Sequence, residues 1–320
     1  MLTIEKFAVT GPDVYARERV PGPALGEPGN IHALLRRHCP GLIPAVREVI
    51  ESSEFQYCGG SREESFLWQH TVYVASMAMG LARRENVDPL LPVITALFHD
   101  CGKFENGKFH AGKQPEEVLS AEISQVLMRD AGFPAEDRRR VRESLLALHS
   151  HKEKGDINTC IVSDADFLIK SGYMGFANFF EKSVLRGMAI RNSILKVMSK
   201  ELTYAASLET RMFTRSGKNM ARKKSATTVS LFRNYLEELR ITGVSDYEIR
   251  RQTLNWGRGT IRLILVLPRF CDHCWNPMAV GFDRKDGLKR DRLVVNIDCP
   301  VCSRNSGYDF SFCPPEVTAA

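Results

Sequence analysis

The sequence predicts a mainly α-helical protein followed by a small β-rich unit, and three observations carry that reading. From about residue 31 to 250, apolar residues recur at spacings of three and four, with little strand-like alternation. Beyond about 256 the pattern changes to short apolar runs, at 261–267 and 293–297, with a charged turn at 283–291 between them. Two Cys-x-x-Cys pairs, Cys271/Cys274 and Cys299/Cys302, bracket the second run. The expected organisation is an irregular lead-in at 1–30, a helical domain at 31–250 and a C-terminal unit at 256–320.

Each segment has a local cause. The lead-in is punctuated by Gly11, Pro12, Pro21, Gly22, Pro23, Gly26, Pro28 and Gly29, which break regular structure. Within the helical part, Gly59-Gly60-Ser61 precedes one helix and Asp88-Pro89 starts another. Gly102 stands where a helix C-cap belongs, and Gly132 to Pro134 separates two more helices.

Bulk composition bounds the rest. The chain has 320 residues, 43% hydrophobic and 26% charged, as in an ordinary globular protein. No stretch reaches the roughly 20 apolar residues of a membrane span. Residues 1–10 lack the basic and apolar regions of a secretory signal, so a cytoplasmic location and no membrane partner are expected. In a reducing compartment the nine cysteines are then free thiols or metal ligands rather than disulfides. A net charge of +6 does not by itself argue for nucleic acid. One local cluster, Arg211, Arg215, Lys218, Arg222, Lys223 and Lys224, has no acidic residue within it. It either meets phosphates or forms a solvated face.

Histidines and aspartates on apolar helices carry the chemistry. His70 lies in a segment with one buried face. His99-Asp100 closes the apolar run 92–98, where a buried carboxylate and imidazole are costly unless paired. Asp166 shares a helix face with Val162 and Ile169, and Asp164 is its competitor or a supporting group behind the ligands. Two imidazoles, two carboxylates and open positions suit a divalent ion such as Mn, Mg, Fe, Ni or Co rather than a closed structural zinc site. An ion of that kind activates water and polarises a phosphoryl oxygen.

The order His70, His99-Asp100, Asp166 resembles the signature of the HD-domain phosphohydrolase superfamily, over about residues 50–240. The segment His99-Asp-Cys-Gly-Lys resembles that family's His-Asp-Ile-Gly-Lys element, with Cys101 in the aliphatic position. The segment Asp164-Ala-Asp-Phe-Leu resembles its Asp-Ala-Asp-Arg-Leu element, which implies Asp166 as the ligand. Phe167 stands where the family often has arginine, so no substrate contact carries over there. The resemblance implies a phosphate mono- or diester as substrate, a nucleotide foremost. It implies His110 and His149 as ligands of a second ion or of the substrate phosphate. His151 is read as a surface residue, and Glu122 is a weak candidate base. Lys103 either meets a phosphate, as a catalytic group beside Asp100, or complements the helix dipole.

The two Cys-x-x-Cys pairs, 24 residues apart, predict a zinc-ribbon-like unit with Cys271, Cys274, Cys299 and Cys302 as ligands of a structural zinc. A single iron would use the same ligands. Such a unit could bind nucleic acid, a protein or another copy of the chain. The alternatives to a nucleotide hydrolase are a metal-dependent nuclease, a nucleotide sensor without turnover and, by resemblance, a di-iron oxygenase.

Overall fold

The structure is a computed structural model that describes residues 31–57, 65–105, 108–109, 114–150, 155–185, 187–256, 259–285, 291–305 and 307–312. The lead-in at 1–30 lies outside the described residues, as do Cys58, His110, His151, Cys313 and the side chain of His149. The helical part runs through α1 (Ile31–His38), α2 (Leu42–Tyr57), α3 (Phe66–Arg84) and α4 (Leu90–Phe98). A two-stranded hairpin, β1 (Phe104–Glu105) and β2 (Lys108–Phe109), follows. Then come α5 (Glu116–Asp130), α6 (Ala135–Ser150), α7 (Ile157–Ile169), α8 (Gly172–Leu185), α9 (Ile190–Asn192), α10 (Ser199–Ser207) and α11 (Arg215–Ile241).

The central helix is α4. Its residues from Pro92 to Phe98 are all buried, so it has no solvated face and must be surrounded. α3 packs on it through Val74, Ala75, Ala78 and Ala82, where small side chains let the two helices approach closely. α7 closes the layer with Ile161, Val162, Ala165 and Leu168. Local signals start these helices. The Ser65 hydroxyl accepts the Trp68 N–H at 2.9 Å, and the Asp156 carboxylate accepts the Thr159 N–H at 2.8 Å.

The helical run ends earlier than its periodicity suggests. α11 stops at Ile241, Gly243 takes a left-handed φ of 70°, and strand β3 (Tyr247–Trp256) begins nine residues before the expected change at 256. Among the β3 residues whose side chains the structure describes, Tyr247 and Ile249 join the core and alternate with Glu248 and Arg250. That gives too weak an alternation to read from sequence. β3 pairs antiparallel along its whole length with β4 (Gly259–Pro268). A second antiparallel sheet has the order β5 (Ala279–Lys285), β6 (Asp291–Asp298), β7 (Tyr308–Phe312).

β4 is buried on both sides. Leu263, Leu265 and Leu267 face a core with Leu293, Val295, Ile297, Tyr308 and Phe310 of the second sheet. Val266 joins Phe179, Val197, Met198 and Phe232 of the helical side. The stretch 263–267 is therefore continuously apolar because its two pleat faces meet different cores. Between α9 and α10 the chain makes a π-helical turn, Ser193–Met198. It turns Leu195 towards the sheet core and Ile194, Val197 and Met198 towards the helical core.

The free edge of β4 is covered by side chains of α10. The Val266 N–H donates to Ser199 Oγ at 2.8 Å, and the Ile264 N–H donates to Thr203 Oγ1 at 2.9 Å. Thr203 returns a bond to the Ile264 carbonyl at 3.2 Å. Both helix side chains thus satisfy groups that an edge strand would leave open. Ser199→Ala should strip the buried Val266 N–H of its acceptor and lower stability by about 1–3 kcal/mol. The measurement is the shift in thermal midpoint, and an unchanged midpoint would refute the edge-capping role. Among the described residues, no helix is long and apolar enough to cross a membrane.

Candidate metal centre

Three elements bring four candidate ligand side chains close together, three of them within reach of one point. His70 sits on the second turn of α3 and is 6% exposed. His99 and Asp100 follow the last residue of α4 directly, so they lie in the turn that leaves the helix rather than within it. Asp166 lies on α7.

The turn is held from α5. Ser120 Oγ accepts the Gly102 N–H at 2.9 Å and donates to the His99 carbonyl at 3.2 Å. A Cβ on residue 102 would sit 2.2 Å from the Glu116 carbonyl oxygen. Glycine is needed here for close approach to α5, and Gly102 is not in a left-handed conformation.

The ligand atoms converge. His70 Nε2 lies 3.4 Å from Asp100 Oδ2 and 3.2 Å from Asp166 Oδ1. His99 Nε2 lies 3.4 Å from Asp100 Oδ2 and 3.9 Å from Asp166 Oδ1. His70, His99 and Asp100 each offer one atom within 4.8 Å of the others. His70 Nε2, His99 Nε2 and Asp166 Oδ1 are buried, and each lacks a hydrogen-bond partner among the described residues. Three orphaned polar atoms aimed at one point are costly unless an ion satisfies them together.

Protonation states fit an ion as well. His99 Nδ1 lies 2.7 Å from the Ala96 carbonyl, which only accepts, so Nδ1 is the donor there and Nε2 is the nitrogen that faces the carboxylates. Burial pushes His70 down to about 4, and the Asp166 and Asp100 carboxylates beside it recover only part of that. Burial pushes the Asp100 carboxyl up, but the His99 ring, the Lys103 ammonium and the His70 ring beside it reverse this and hold it well below the usual carboxylate range. The same holds for Asp166, where Lys170 and His70 outweigh burial. Neutral imidazoles and ionised carboxylates are the forms that bind metal.

Two lysines back the carboxylates. Lys103 pairs with Asp100 Oδ2, and Lys170 lies 2.6 Å from Asp166 Oδ2. Lys170 was not foreseen, although its i, i+4 spacing from Asp166 on α7 is a readable signal.

Asp164 has a different task. Its carboxylate accepts the Phe213 and Thr214 N–H groups at 2.8 Å each and the Thr214 hydroxyl at 2.6 Å. It thereby ties α7 to the start of α11, where Thr214 caps the helix by accepting the Gly217 N–H at 2.9 Å. Asp164→Ala should cost about 3 kcal/mol or more of stability, because it strands buried N–H groups. Metal binding by the folded fraction should persist, whereas Asp166→Ala should lose metal and keep the fold. Metal content beside a thermal melt of each variant tests this. Metal loss from the folded Asp164→Ala protein would overturn the division of roles.

Three of the six cations in the basic segment at 211–224 are engaged, while Arg215, Lys218 and Lys223 are exposed. Arg222 pairs with Glu209 at 2.7 Å, and Lys224 Nζ donates to the Ser171 carbonyl at 3.1 Å. Arg211 is seated on aromatic rings.

At the C-terminal end the four cysteines meet. Cys271 Sγ and Cys302 Sγ are 3.6 Å apart, and Cys274 Sγ and Cys299 Sγ are 3.4 Å apart, with all four within 4.8 Å of one another. Both pairs are too far apart for disulfides. A sulfur tetrahedron around an ion at ~2.3 Å has edges of ~3.8 Å. The two knuckles repeat one backbone geometry. The Trp275 N–H donates to the Cys271 carbonyl and the Ser303 N–H to the Cys299 carbonyl, at 2.9 and 3.0 Å. Trp275 and Ser303 both take left-handed φ, 56° and 57°. Asn276 holds the Cys274 thiol down to about 6, which favours the thiolate. Cys39, Cys101 and Cys160 are buried thiols away from this cluster.

The model of the HD domain matches residues 67–169, a span that contains His70, His99, Asp100 and Asp166. No curated protein matches the chain. Among solved structures, one from an uncultured Thermotogales bacterium, described as a predicted HD superfamily hydrolase, is 21% identical. It covers 66% of this chain and 99% of its own, with a TM-score of 0.47. Bacillus subtilis YpgQ in complex with ADP is 19% identical, covers 62% of this chain and 96% of its own, and has a TM-score of 0.45. An HD-superfamily hydrolase from Bacillus thuringiensis is 17% identical, covers 62% and 98%, and has a TM-score of 0.42. The chain thus contains an HD domain, at residues 67–169.

Proposed function

We propose that this protein is a metal-dependent phosphohydrolase that cleaves a phosphate ester, with a nucleotide as the substrate. The observation that carries the reading is the convergence of His70 Nε2, His99 Nε2 and Asp166 Oδ1, buried and without partners, beside Asp100. These four residues would hold a divalent ion of the Mn, Mg, Fe, Ni or Co type. When bound, such an ion supplies an activated water and draws charge from the phosphoryl oxygens.

The chain's own groups do the rest. His70 presents a neutral lone pair, and His99, whose Nδ1 faces the Ala96 carbonyl, presents its Nε2. Lys170 fixes the Asp166 carboxylate by taking its second oxygen. Lys103 fixes Asp100 and keeps further N–H donors for a phosphoryl oxygen on which charge develops. His110 and His149 are assigned to a second ion or to the substrate phosphate by resemblance alone. The four-cysteine cluster would hold a structural zinc. The buried free thiols suit a cytoplasmic setting.

The test is phosphate release from a panel of nucleotides by protein loaded with Mn²⁺, by protein stripped with a chelator, and by stripped protein reloaded. Release that disappears and returns with metal supports the reading. No release from any nucleotide by metal-loaded protein would remove the nucleotide, and cutting of single-stranded nucleic acid would then identify a nuclease.

A further inference from the structure

Arg211 is held in an unusual seat beside the metal centre. It is the last residue of a 3₁₀ turn, Glu209–Arg211, between α10 and α11. Its guanidinium carbon lies 5.7 Å from the ring centroid of Phe167 and 5.2 Å from that of Tyr204. Its Nε donates to Ser207 Oγ at 3.1 Å. Two rings and one hydrogen bond set the plane of the guanidinium in advance. No carboxylate among the described residues pairs with it, and its Nη groups make no hydrogen bond there. They are also absent from the buried unsatisfied atoms, so they are open to solvent. Phe167 directly follows Asp166 on α7, and Lys170 Nζ, which pairs with Asp166, lies 5.9 Å from the same ring. Arg211 therefore borders the site across a single aromatic ring.

Charge balance says what such a group is for. The carboxylates of Asp100 and Asp166 cancel the charge of a divalent ion. Lys103 and Lys170 balance the roughly two negative charges of a phosphomonoester at neutral pH. Arg211 adds a further positive charge beside Phe167, with a planar fork of donors suited to phosphoryl oxygens. We infer that Arg211 binds a second phosphoryl group of the substrate, away from the ion, and so selects substrates with a di- or triphosphate over monoesters. This rests on the phosphohydrolase reading and narrows its substrate class.

Imidodiphosphate, which resists hydrolysis, and inorganic phosphate serve as probes. Their affinities are measured by calorimetry on Mn²⁺-loaded full-length protein, wild type, Arg211→Ala and Arg211→Lys, with thermal melts to show folding. Wild type should bind imidodiphosphate at least tenfold more tightly than phosphate. Arg211→Ala should lose at least tenfold in affinity for imidodiphosphate and under threefold for phosphate, and Arg211→Lys should recover part of the loss. Equal losses for both probes, no loss, or no preference in wild type would each overturn the proposal. If Arg211→Ala does not fold, Tyr204→Leu loosens the seat with the charge intact and should show a smaller loss of the same kind. Because no step needs turnover, wild type that binds the probes but releases no phosphate from any ester would reject the hydrolase reading and leave the role of Arg211 judged separately.

Discussion

Asp100→Ala should empty the metal centre and remove phosphate release, by a factor of about 10³ or more. Asp100 Oδ2 is the atom that both imidazoles share, 3.4 Å from each. Its loss deprives the ion of a charged ligand and leaves Asp166 as the sole carboxylate. Several kcal/mol of charge stabilisation by an ion correspond to about three powers of ten in rate. The substitution also frees Lys103, whose side chain is only 14% exposed, and an unpaired cation so close to the site repels a divalent ion further. Asp100→Asn keeps the shape and removes the carboxylate charge, so it tests whether that charge rather than packing holds the ion. Metal analysis should find the centre empty in both variants and the cysteine-bound ion still present at about one per chain. Full metal occupancy with unimpaired release in Asp100→Ala would show that the reaction runs elsewhere.

Cys299→Ser, or extraction of the cysteine-bound metal, should produce the largest loss of stability in the molecule. The second sheet has a small core of Leu293, Val295, Ile297, Tyr308 and Phe310, which leans on Leu263, Leu265 and Leu267 of β4. A unit of about 40 residues rarely buries enough apolar surface to hold its own fold. In comparable small zinc units, metal binding supplies about 10–16 kcal/mol of apparent folding free energy. Cys299 is 2% exposed, and its knuckle opens directly from β6, so losing one thiolate releases the sheet at its anchor. The apolar face of β4 would then meet water. The expected result is rapid proteolysis between residues 271 and 312, with the HD domain and its ion intact. β3 and β4 should resist longer, because Ser199 and Thr203 still pin them to α10. A melt and a digestion pattern like those of wild type would show that the cysteines hold no structural metal.

How much of this was legible follows from how far apart the determinants lie. α3 could be read from spacing alone, because a helix that buries one face must repeat its apolar residues every three or four positions, whereas α4 stood out as a nearly unbroken apolar run. The two knuckles could be read because each confines its ligands to four residues and one turn. His70, His99, Asp100 and Asp166 stood out because buried imidazoles and carboxylates on apolar helices need a partner. That requirement is local chemistry, and the structure brings all four side chains together.

The remaining features depend on segments distant in sequence. Asp164 and Asp166 stand two residues apart on one helix, and nothing within α7 says which faces the site. The start of α11, some 50 residues later, claims Asp164 and leaves Asp166 to the histidines. Gly102 looked like a helix cap, and only the approach of α5 shows that the side chain is excluded by contact rather than by backbone conformation. β3 stayed hidden because a strand with one wet face and few apolar residues has almost no periodicity. Arg211 read as one cation in a basic run until the fold set it between Phe167 and Tyr204. The sequence by itself determined the ligand types, the helices that carry them and the cysteine knuckles, since these obey rules within one turn or one helix. Which aspartate faces the histidines, what holds the strand edge and where Arg211 sits were decided by tertiary structure, because each depends on two surfaces meeting that no local pattern encodes.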